Sequence, residues 1–432
     1  MRRLLSLVAC LVVVLSTTIS RATELPEAPA EQLGLSSTRL ARIGQAFRSE
    51  IDKGKLPGAV MLVARKGRVV YFESVGRRDP ATEDPMTKDA IFRIYSMTKP
   101  LASVGAMILM EEGRLLLTDP VSQYLPPLAN LQVSVPKLDP GTGKLTYTLV
   151  PTEREMTIQD LLRHTSGLVY GELTGQAQVD AAYARAGLAP LKALLALSPE
   201  EQVERLAKVP LAHQPGRVWE YSVSTDVLGR VVEAVSGTTL SRFLEERLFA
   251  PLKMTDSGFY VPPDKRRRLA EPFATDPATG NPSDLIDVTS PPRNDSGGAG
   301  AVSTAADYLR FAQMLLNGGQ LDGQRVLSRT TVRLMASDHL GLIADAGPTP
   351  GELLLGTPGY TFGLGFAVRL QPGLAGLPGS AGEYMWAGYA GTYFWVDPHE
   401  ELIGLLMTQA PGPARRYYRK LFKELVYQAL VD

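Results

Sequence analysis

A serine and a lysine three residues apart open an apolar stretch of the chain. Ser96 and Lys99 stand in the order Ser-Met-Thr-Lys-Pro, followed by the apolar run 101–110 and by Gly113. In a helix, side chains at i and i+3 lie on one face, so these two side chains would point the same way. A helix start is the positive end of the helix dipole, and burial would further disfavour a charged lysine there. A partly neutral Lys99 could therefore share or remove the Ser96 proton and make that hydroxyl a nucleophile.

The Ser96 backbone offers a second chemical element. A backbone N–H at the start of a helix has no partner within the helix, so that of Ser96 could bind an oxyanion.

The Ser-x-x-Lys pair alone is a weak signal. The chain contains a second copy, at Ser134 and Lys137, in a stretch that proline interrupts and that no helical period follows. An isolated pair of this kind is more often a helix cap beside a surface lysine. The chemical interpretation therefore depends on residues further along the chain.

Composition limits the classes of function. The 432 residues carry 45 basic and 45 acidic side chains, so the formal net charge is zero. This balance argues against a nucleic-acid partner or a polybasic membrane surface. The histidines, His164, His213, His339 and His399, have no metal-ligand spacing, so we expect no metal site. A serine nucleophile with an amine beside it needs no cofactor, and we expect none.

The N-terminus is typical of a targeting segment. Arg2 and Arg3 precede the apolar run 4–15, and a small-x-small site ends at Ala22. We expect a signal peptide over residues 1–22, an exported periplasmic or secreted product, and no membrane span after cleavage. Cys10, the single cysteine, sits in a lipobox-like context but too early in the apolar run for lipoprotein processing. The mature chain would have no thiol chemistry.

The hydrophobic pattern predicts strands at both ends of the chain and helices between them. Two strand-like stretches on either side of the tight turn Lys66-Gly67 predict a hairpin near the N-terminus, and further strands are predicted near the C-terminus, before a last helix over 414–430. The predicted strands are 59–65, 68–74, 361–370, 384–387, 391–396 and 402–408. We expect one sheet built from both termini (about 36–90 and 300–432) and a mostly helical subdomain (about 96–295). Thr157, Ser224 and Thr304 are predicted helix N-caps.

The order of the motifs resembles class C β-lactamases and penicillin-binding proteins, and more closely the family VIII serine esterases that share their fold. The resemblance covers roughly residues 35–430 and implies an α/β (α+β), β-lactamase/transpeptidase-like fold, with an antiparallel sheet flanked by helices. It implies an active site between the sheet and the helical subdomain. The motifs are Ser96–Lys99, Asp119–Ser122, Leu161–Leu168, Pro215-Gly216, Trp219–Ser222, Ser296–Gly300 and Ser303–Asp307.

The resemblance implies a role for three side chains. Ser96 matches the acylated nucleophile, and Lys99 matches the lysine that activates it. Tyr221 matches the tyrosine that acts as base for acylation and later activates the hydrolytic water. A tyrosine acting as a base near neutral pH needs a neighbouring cation or a proton relay through Lys99. An isolated tyrosine before a helix would more often be a packed aromatic residue.

The chain departs from the β-lactamase pattern at the strand that lines the site. Lactamases carry Lys-Thr-Gly there, whereas the matching place here is Trp386-Ala387-Gly388, followed by Tyr389. The resemblance implies a second oxyanion donor at a backbone N–H near Tyr389. Gly388 would let a substrate lie against the strand edge, and Trp386 would offer an apolar wall and one N–H donor. A lone strand tryptophan is also consistent with core packing.

A second departure follows Tyr221. Lactamases carry asparagine two residues after the tyrosine, where this chain has Val223, which cannot hydrogen-bond a substrate amide or Lys99. Ser224 or Asp226 could substitute for it. Without the strand lysine and this asparagine, the site favours neutral, partly apolar esters or amides over substrates that carry a carboxylate.

A Ser-His-Asp triad through His164 is a weaker interpretation. No serine of the chain lies in Gly-x-Ser-x-Gly, the nucleophile elbow of α/β-hydrolases. A histidine at a helix end more often bonds a carbonyl or a turn.

The sequence thus predicts an exported serine hydrolase acting on small-molecule esters or amides. A second interpretation is a β-lactamase or D-amino-acid peptidase. A third, of another class, is a non-catalytic penicillin-recognising or sensor domain. The sequence leaves the oligomeric state open.

Overall fold

A single eight-stranded antiparallel sheet is the centre of the fold. The computed structural model describes residues 25–143, 145–171, 176–345 and 347–432. Every neighbouring pair of strands in the sheet is antiparallel. The spatial order is Tyr360–Phe362, Ala367–Arg369, Tyr384–Ala387, Tyr393–Asp397, Leu402–Thr408, Gly58–Arg65, Arg68–Asp79 and Asp84–Pro85. The N-terminal hairpin pairs directly with the last strand, which confirms the predicted sheet built from both ends of the chain.

Helices cover both faces of this sheet. On the strand Tyr393–Asp397, Phe394 packs against Tyr308 with ring centroids 5.0 Å apart, while Trp395 packs against Phe422 at 5.4 Å. Successive strand residues point to opposite faces, so the helices that carry Tyr308 and Phe422 lie on opposite sides. Both faces are therefore buried, and the strands Gly58–Arg65 and Leu402–Thr408 are buried along their whole length.

Most of the helices lie between the two strand-forming parts of the chain. The serine helix, Thr98–Glu111, packs against a second helix, Ser224–Ser236, which we call the tyrosine-loop helix because it follows Tyr221. The remaining helices are Ser37–Asp52, Ile158–Leu162, Ala177–Arg185, Leu191–Leu195, Pro199–Leu206, Leu240–Leu244, Ala305–Leu316, Arg329–Met335, Pro350–Leu355 and Arg415–Tyr427. A π-helical turn, Glu245–Phe249, continues one of them.

Shorter strands complete the fold. A hairpin of Gln132–Leu138 and Leu145–Pro151 stands apart from the main sheet. Two-residue pairs link distant segments, Phe92–Arg93 with Val302–Ser303 and Val218–Trp219 with Ala344–Asp345, whereas Gln320–Leu321 pairs with Gln324–Arg325 across a tight turn. The first of these pairs joins the segment before Ser96 to the segment after the glycine-rich motif.

Two local predictions are wrong. The predicted strand 361–370 is a hairpin of two short strands, because Gly365 has φ of 104° and reverses the chain between them. Ser224 is not an N-cap: it is the first residue of the tyrosine-loop helix, and its Oγ bonds Ser222 and Ser166, each at 2.7 Å. The Thr157 and Thr304 caps are confirmed, since each side chain accepts a hydrogen bond from a backbone N–H three residues on.

Membrane spans can be assessed only where the chain is described. Within those residues, no helix combines the length and the apolar character needed to cross a bilayer. The predicted signal peptide, its cleavage site after Ala22 and Cys10 lie outside the described residues.

Candidate active site

Ser96 lies in a tight turn that leads into the serine helix. The turn Tyr95–Met97 is 3₁₀-helical, and Tyr95 has φ of 44°, a left-handed conformation that side chains other than glycine rarely adopt. Thr98 holds this conformation, because its hydroxyl donates to the Tyr95 carbonyl at 2.6 Å and accepts from the Ala301 N–H at 3.0 Å. The Ser96 side chain remains partly exposed at the end of this fixed turn.

Lys99 lies beneath the serine with its three N–H donors directed at neutral oxygens. Its Nζ is 3.4 Å from Ser96 Oγ, 3.0 Å from the Tyr170 hydroxyl and 2.8 Å from the Gly298 carbonyl. The side chain is fully buried, and no carboxylate of the described residues lies within ion-pair distance. The amine therefore lies within reach of the nucleophile's oxygen and is held there by two further hydrogen bonds.

Tyr221 reaches the same serine from a distant part of the chain. Its hydroxyl lies 2.6 Å from Ser96 Oγ, and its ring centroid lies 4.6 Å from Lys99 Nζ. The ring packs between His164 and Tyr170, with centroids 5.1 and 5.3 Å away. The structure thus brings together the hydroxyl, the amine and the phenol that the sequence analysis singled out.

Tyr170 is a member of this cluster that the sequence analysis missed. Burial, and next the charges of Tyr221 and Asp226, raise the pKa of Tyr170 well above its ordinary value. Tyr170 therefore keeps its proton and remains a neutral hydroxyl against Lys99. Its one sequence signal was its place two residues after the Leu161–Leu168 motif.

Neither residue suggested as a substitute for Val223 contacts Lys99. Asp226 instead accepts a hydrogen bond from the Gly298 N–H at 3.2 Å and one from the Ser296 hydroxyl. A Cβ on Gly298 would lie 2.2 Å from an Asp226 oxygen, so glycine is required for this approach. Asp226 therefore acts indirectly, because it fixes the glycine-rich segment whose Gly298 carbonyl accepts a hydrogen bond from Lys99. Val223 itself is buried.

The end of the strand Tyr384–Ala387 approaches the serine turn from the other side. A Cβ on Gly388 would lie 2.3 Å from the Ile94 carbonyl oxygen, so only glycine allows this contact two residues before Ser96. The Tyr389 ring packs against the Tyr95 ring with centroids 5.5 Å apart. The strand end and the serine turn are therefore held against each other.

Trp386 is not exposed beside Ser96. Its side chain is fully buried, with ring centroids 5.5 Å from Tyr221 and 5.2 Å from Phe362. The indole N–H has no hydrogen-bond partner in the described parts of the chain. The predicted apolar wall therefore lies behind the Tyr221 ring, which it supports, instead of offering its own surface or N–H donor to a substrate.

His164 is close to the cluster but does not contact Ser96. Its Nδ1 lies 3.1 Å from Ser222 Oγ, and its ring packs against Tyr221 and Phe362. Burial, and next the charge of Lys99, lower the pKa of His164 well below its usual 6.5. The imidazole is therefore neutral and structural in this arrangement, and it forms no Ser-His-Asp triad with Ser96.

This buried histidine makes stability depend on pH. The unfolded chain binds a proton at His164 below about pH 6.5, whereas the folded chain does not. The contribution of His164 therefore decreases stability as the pH falls below that value, by about 1.4 kcal/mol per pH unit. His164→Asn, which suits the left-handed φ of 58° at this position, should flatten the decline.

Urea denaturation of both proteins between pH 7.5 and 5.5 measures this effect. Asp307, whose pKa burial raises to about 6, contributes with the opposite sign but is present in both proteins. The difference between the two curves therefore reports His164 alone. Parallel curves would show that His164 is protonated in the folded state.

The histidines and acidic residues form no metal site in the described ranges: no three His, Cys, Asp or Glu side chains there could hold an ion together.

The known proteins to which this chain is similar include esterases. A family model described as Beta-lactamase matches residues 43–428. Esterase EstB of Burkholderia gladioli is 32% identical, over 85% of this chain and 90% of EstB. Lovastatin esterase of Penicillium rubens is 30% identical, over 85% of this chain and 92% of that protein. The solved structure of EstCE1, described as a hydrolase with promiscuous acyltransferase activity, matches with a TM-score of 0.72 at 28% identity, over 90% of this chain and 99% of EstCE1.

Proposed function

The chain belongs to the beta-lactamase family of serine hydrolases, and we propose that it cleaves neutral carboxylic esters through an acyl-enzyme on Ser96. The observation that carries this proposal is the 2.6 Å contact between the Tyr221 hydroxyl and Ser96 Oγ, with Lys99 Nζ 3.4 Å from the same oxygen. A nucleophile and a base within hydrogen-bond reach are the minimal requirement for acyl transfer.

Acylation would proceed in one connected step. Ser96 Oγ forms a bond to the ester carbonyl carbon while its proton moves to Tyr221, which acts as a phenolate that Lys99 stabilises and which this proton neutralises. The carbonyl oxygen becomes an oxyanion held by the backbone N–H groups of Ser96 and Tyr389. The carbon–oxygen bond to the alcohol then breaks, and the alcohol leaves with the proton held by Tyr221.

Deacylation would reverse these roles. A water molecule gives a proton to Tyr221 and attacks the acyl carbonyl, and Ser96 regains a proton as the acid leaves. An alcohol in the place of water would turn the same intermediate into an acyl transfer, an activity that the description of EstCE1 names.

The proposed preference for neutral substrates follows from the residues at the end of the strand Tyr384–Ala387. Lactam and cell-wall peptide substrates present a carboxylate, which the strand lysine of β-lactamases would hold. This chain has a buried Trp386 at that place. Arg415 stacks on the Tyr389 ring at 5.1 Å, but its guanidinium already donates to the Pro411 and Gly412 carbonyls.

We predict that p-nitrophenyl butyrate is a better substrate than nitrocefin. One missing charge-assisted hydrogen bond costs about 1.5–3 kcal/mol, so kcat/KM for the ester should be higher by about tenfold to a hundredfold. Side-by-side assays with the ester, nitrocefin and a D-alanyl-D-alanine peptide measure the ratio. The Ser96→Ala variant gives the non-enzymatic background for each compound.

The same assays separate the alternatives. Nitrocefin or peptide turnover that matches ester turnover would favour the β-lactamase or peptidase. A purified protein that reacts with none of them and with no fluorophosphonate probe would favour a non-catalytic sensor domain. Export through the signal peptide 1–22, and the division into a sheet subdomain and a helical subdomain, remain predictions from the sequence.

A further inference from the structure

Arg419 is a buried cation directly behind the strand end that faces Ser96. It lies on the C-terminal helix, Arg415–Tyr427, and its side chain is fully buried. Its Nη2 donates to the Gly388 carbonyl at 2.5 Å, and its Nη1 donates to the Leu354 carbonyl at 3.0 Å. The Gly388 carbonyl also accepts from the Gly391 N–H at 3.1 Å, so its direction is fixed twice.

The Gly388 carbonyl belongs to the same peptide group as the Tyr389 N–H. Among the described residues, only the Ala189–Pro190 bond is cis, so this peptide is trans and planar, and its C=O and N–H point in opposite directions. The carbonyl points inward to Arg419, so the N–H points away from the C-terminal helix. No described residue accepts a hydrogen bond from the Tyr389 N–H.

Arg419 differs from the other buried cations of this region in having no acidic partner. Arg369 and Lys423 both pair with Glu383, whereas no described carboxylate lies within ion-pair distance of Arg419. Burial, and next the charge of Arg415, lower the pKa of Arg419 to about 9, so the guanidinium is still charged at neutral pH. Its charge is directed at backbone carbonyls.

A cation on the carbonyl oxygen changes the other end of the peptide group. A charge-assisted hydrogen bond is roughly twice as strong as a neutral one, and bonds in a chain polarise each other in a low-dielectric interior. Positive charge at the Gly388 oxygen draws electron density from the amide nitrogen. The Tyr389 N–H thereby becomes a stronger donor and keeps one orientation.

We propose that Arg419 is a positioning residue for the oxyanion: its buried guanidinium fixes and polarises the Gly388–Tyr389 peptide so that the Tyr389 N–H binds the developing negative charge. This inference rests on the proposed function. β-Lactamases have a lysine on the strand that lines the site, where this chain has Trp386. The inference assigns a cationic role at this site to Arg419, which lies behind the strand.

The test uses the full chain with three substitutions. Arg419→Met removes the cation, Arg419→Lys keeps the charge on a different donor, and Lys423→Met is the matched control. Lys423 lies one turn later on the same helix and is equally buried, but its partner is Glu383. Each protein is acylated with p-nitrophenyl butyrate labelled with ¹³C at the carbonyl, trapped at low pH, and its acyl carbonyl stretch is measured by infrared difference spectroscopy.

Arg419→Met should move the acyl carbonyl stretch to higher wavenumber, because a weaker oxyanion donor polarises the carbonyl less. Its kcat should fall by about tenfold to a hundredfold, less than the ~10²–10³-fold cost of losing a donor, with little change in KM. Arg419→Lys should lie between Arg419→Met and the wild type. Lys423→Met should keep the wild-type wavenumber even where thermal unfolding shows lower stability, since the wavenumber does not depend on the folded fraction.

A wild-type wavenumber in Arg419→Met, or an equal shift in Lys423→Met, would overturn the inference while leaving the acyl-enzyme on Ser96 intact. Failure of the wild-type protein to form any acyl-enzyme would instead overturn the proposed function, and this inference with it. Where Arg419→Met does not fold, Arg419→Gln, a neutral donor of shorter reach, replaces it and the outcomes are interpreted in the same way.

Discussion

Replacing Ser96 by alanine is expected to lower kcat for p-nitrophenyl butyrate by about 10⁴- to 10⁶-fold, the range seen when a serine hydrolase loses its nucleophile. The variant keeps the backbone N–H groups of Ser96 and Tyr389 proposed to bind the oxyanion but has no side-chain oxygen to be acylated. His164 cannot replace it, because that ring contacts Ser222 and is buried behind Tyr221. Burst and steady-state assays of p-nitrophenol release measure both the acylation step and turnover.

Ser103→Ala is the matched control for this substitution. Ser103 lies on the same helix, is fully buried, and its Oγ has no hydrogen-bond partner in the described chain. Its loss should leave kcat within about threefold of the wild type, because it removes one oxygen without breaking a hydrogen bond. Retention of more than about 1% of wild-type activity in Ser96→Ala would show that another residue is the nucleophile.

Replacing Tyr221 by phenylalanine should lower kcat by about 10²- to 10⁴-fold, the usual contribution of a general base. The substitution removes only the hydroxyl that lies 2.6 Å from Ser96 Oγ. The ring contacts with His164, Tyr170 and Trp386 remain, so the fold and KM should change little. Steady-state kinetics with the same ester, together with a thermal unfolding curve, separate loss of chemistry from loss of folding.

Tyr170→Phe provides the comparison for that variant. It removes a hydroxyl from a neighbouring ring, but that hydroxyl contacts Lys99 Nζ and not Ser96. We expect a smaller loss of kcat, of about tenfold, because Lys99 retains the Gly298 carbonyl as a partner. If Tyr170→Phe lowered kcat as much as Tyr221→Phe, the hydroxyls of both tyrosines would be needed for general-base catalysis.

Local patterns in the sequence predicted much of the fold. The apolar stretches on either side of the Lys66-Gly67 turn located the N-terminal hairpin. The i, i+3 spacing placed Ser96 and Lys99 on the same side of the helix start, although Ser96 itself lies in the 3₁₀ turn before the helix. The strand predicted over 361–370 failed because an apolar stretch does not reveal where Gly365 reverses the chain. The prediction of Ser224 as an N-cap is wrong because its hydroxyl hydrogen-bonds a buried partner, Ser166, instead.

Long-range contacts in the site were harder to predict. Tyr221 lies 125 positions from Ser96 and was assigned only through the order of the motifs. Tyr170 and Arg419 carried no comparable signal, because a tyrosine in a loop and an arginine in an amphipathic helix are ordinary residues until packing places them. The role of Trp386 was uncertain for the same reason: the depth of a side chain is a property of the packed structure.

In the proposed mechanism Ser96 carries the acyl group during turnover. The most direct measurement is acid quenching of the protein during hydrolysis of p-nitrophenyl butyrate, followed by digestion and mass spectrometry of the peptides. We expect one butyryl group, on Ser96, that is absent from Ser96→Ala and formed much more slowly in Tyr221→Phe. Turnover with the butyryl group on a different residue, or with no acylated residue at all, would contradict it.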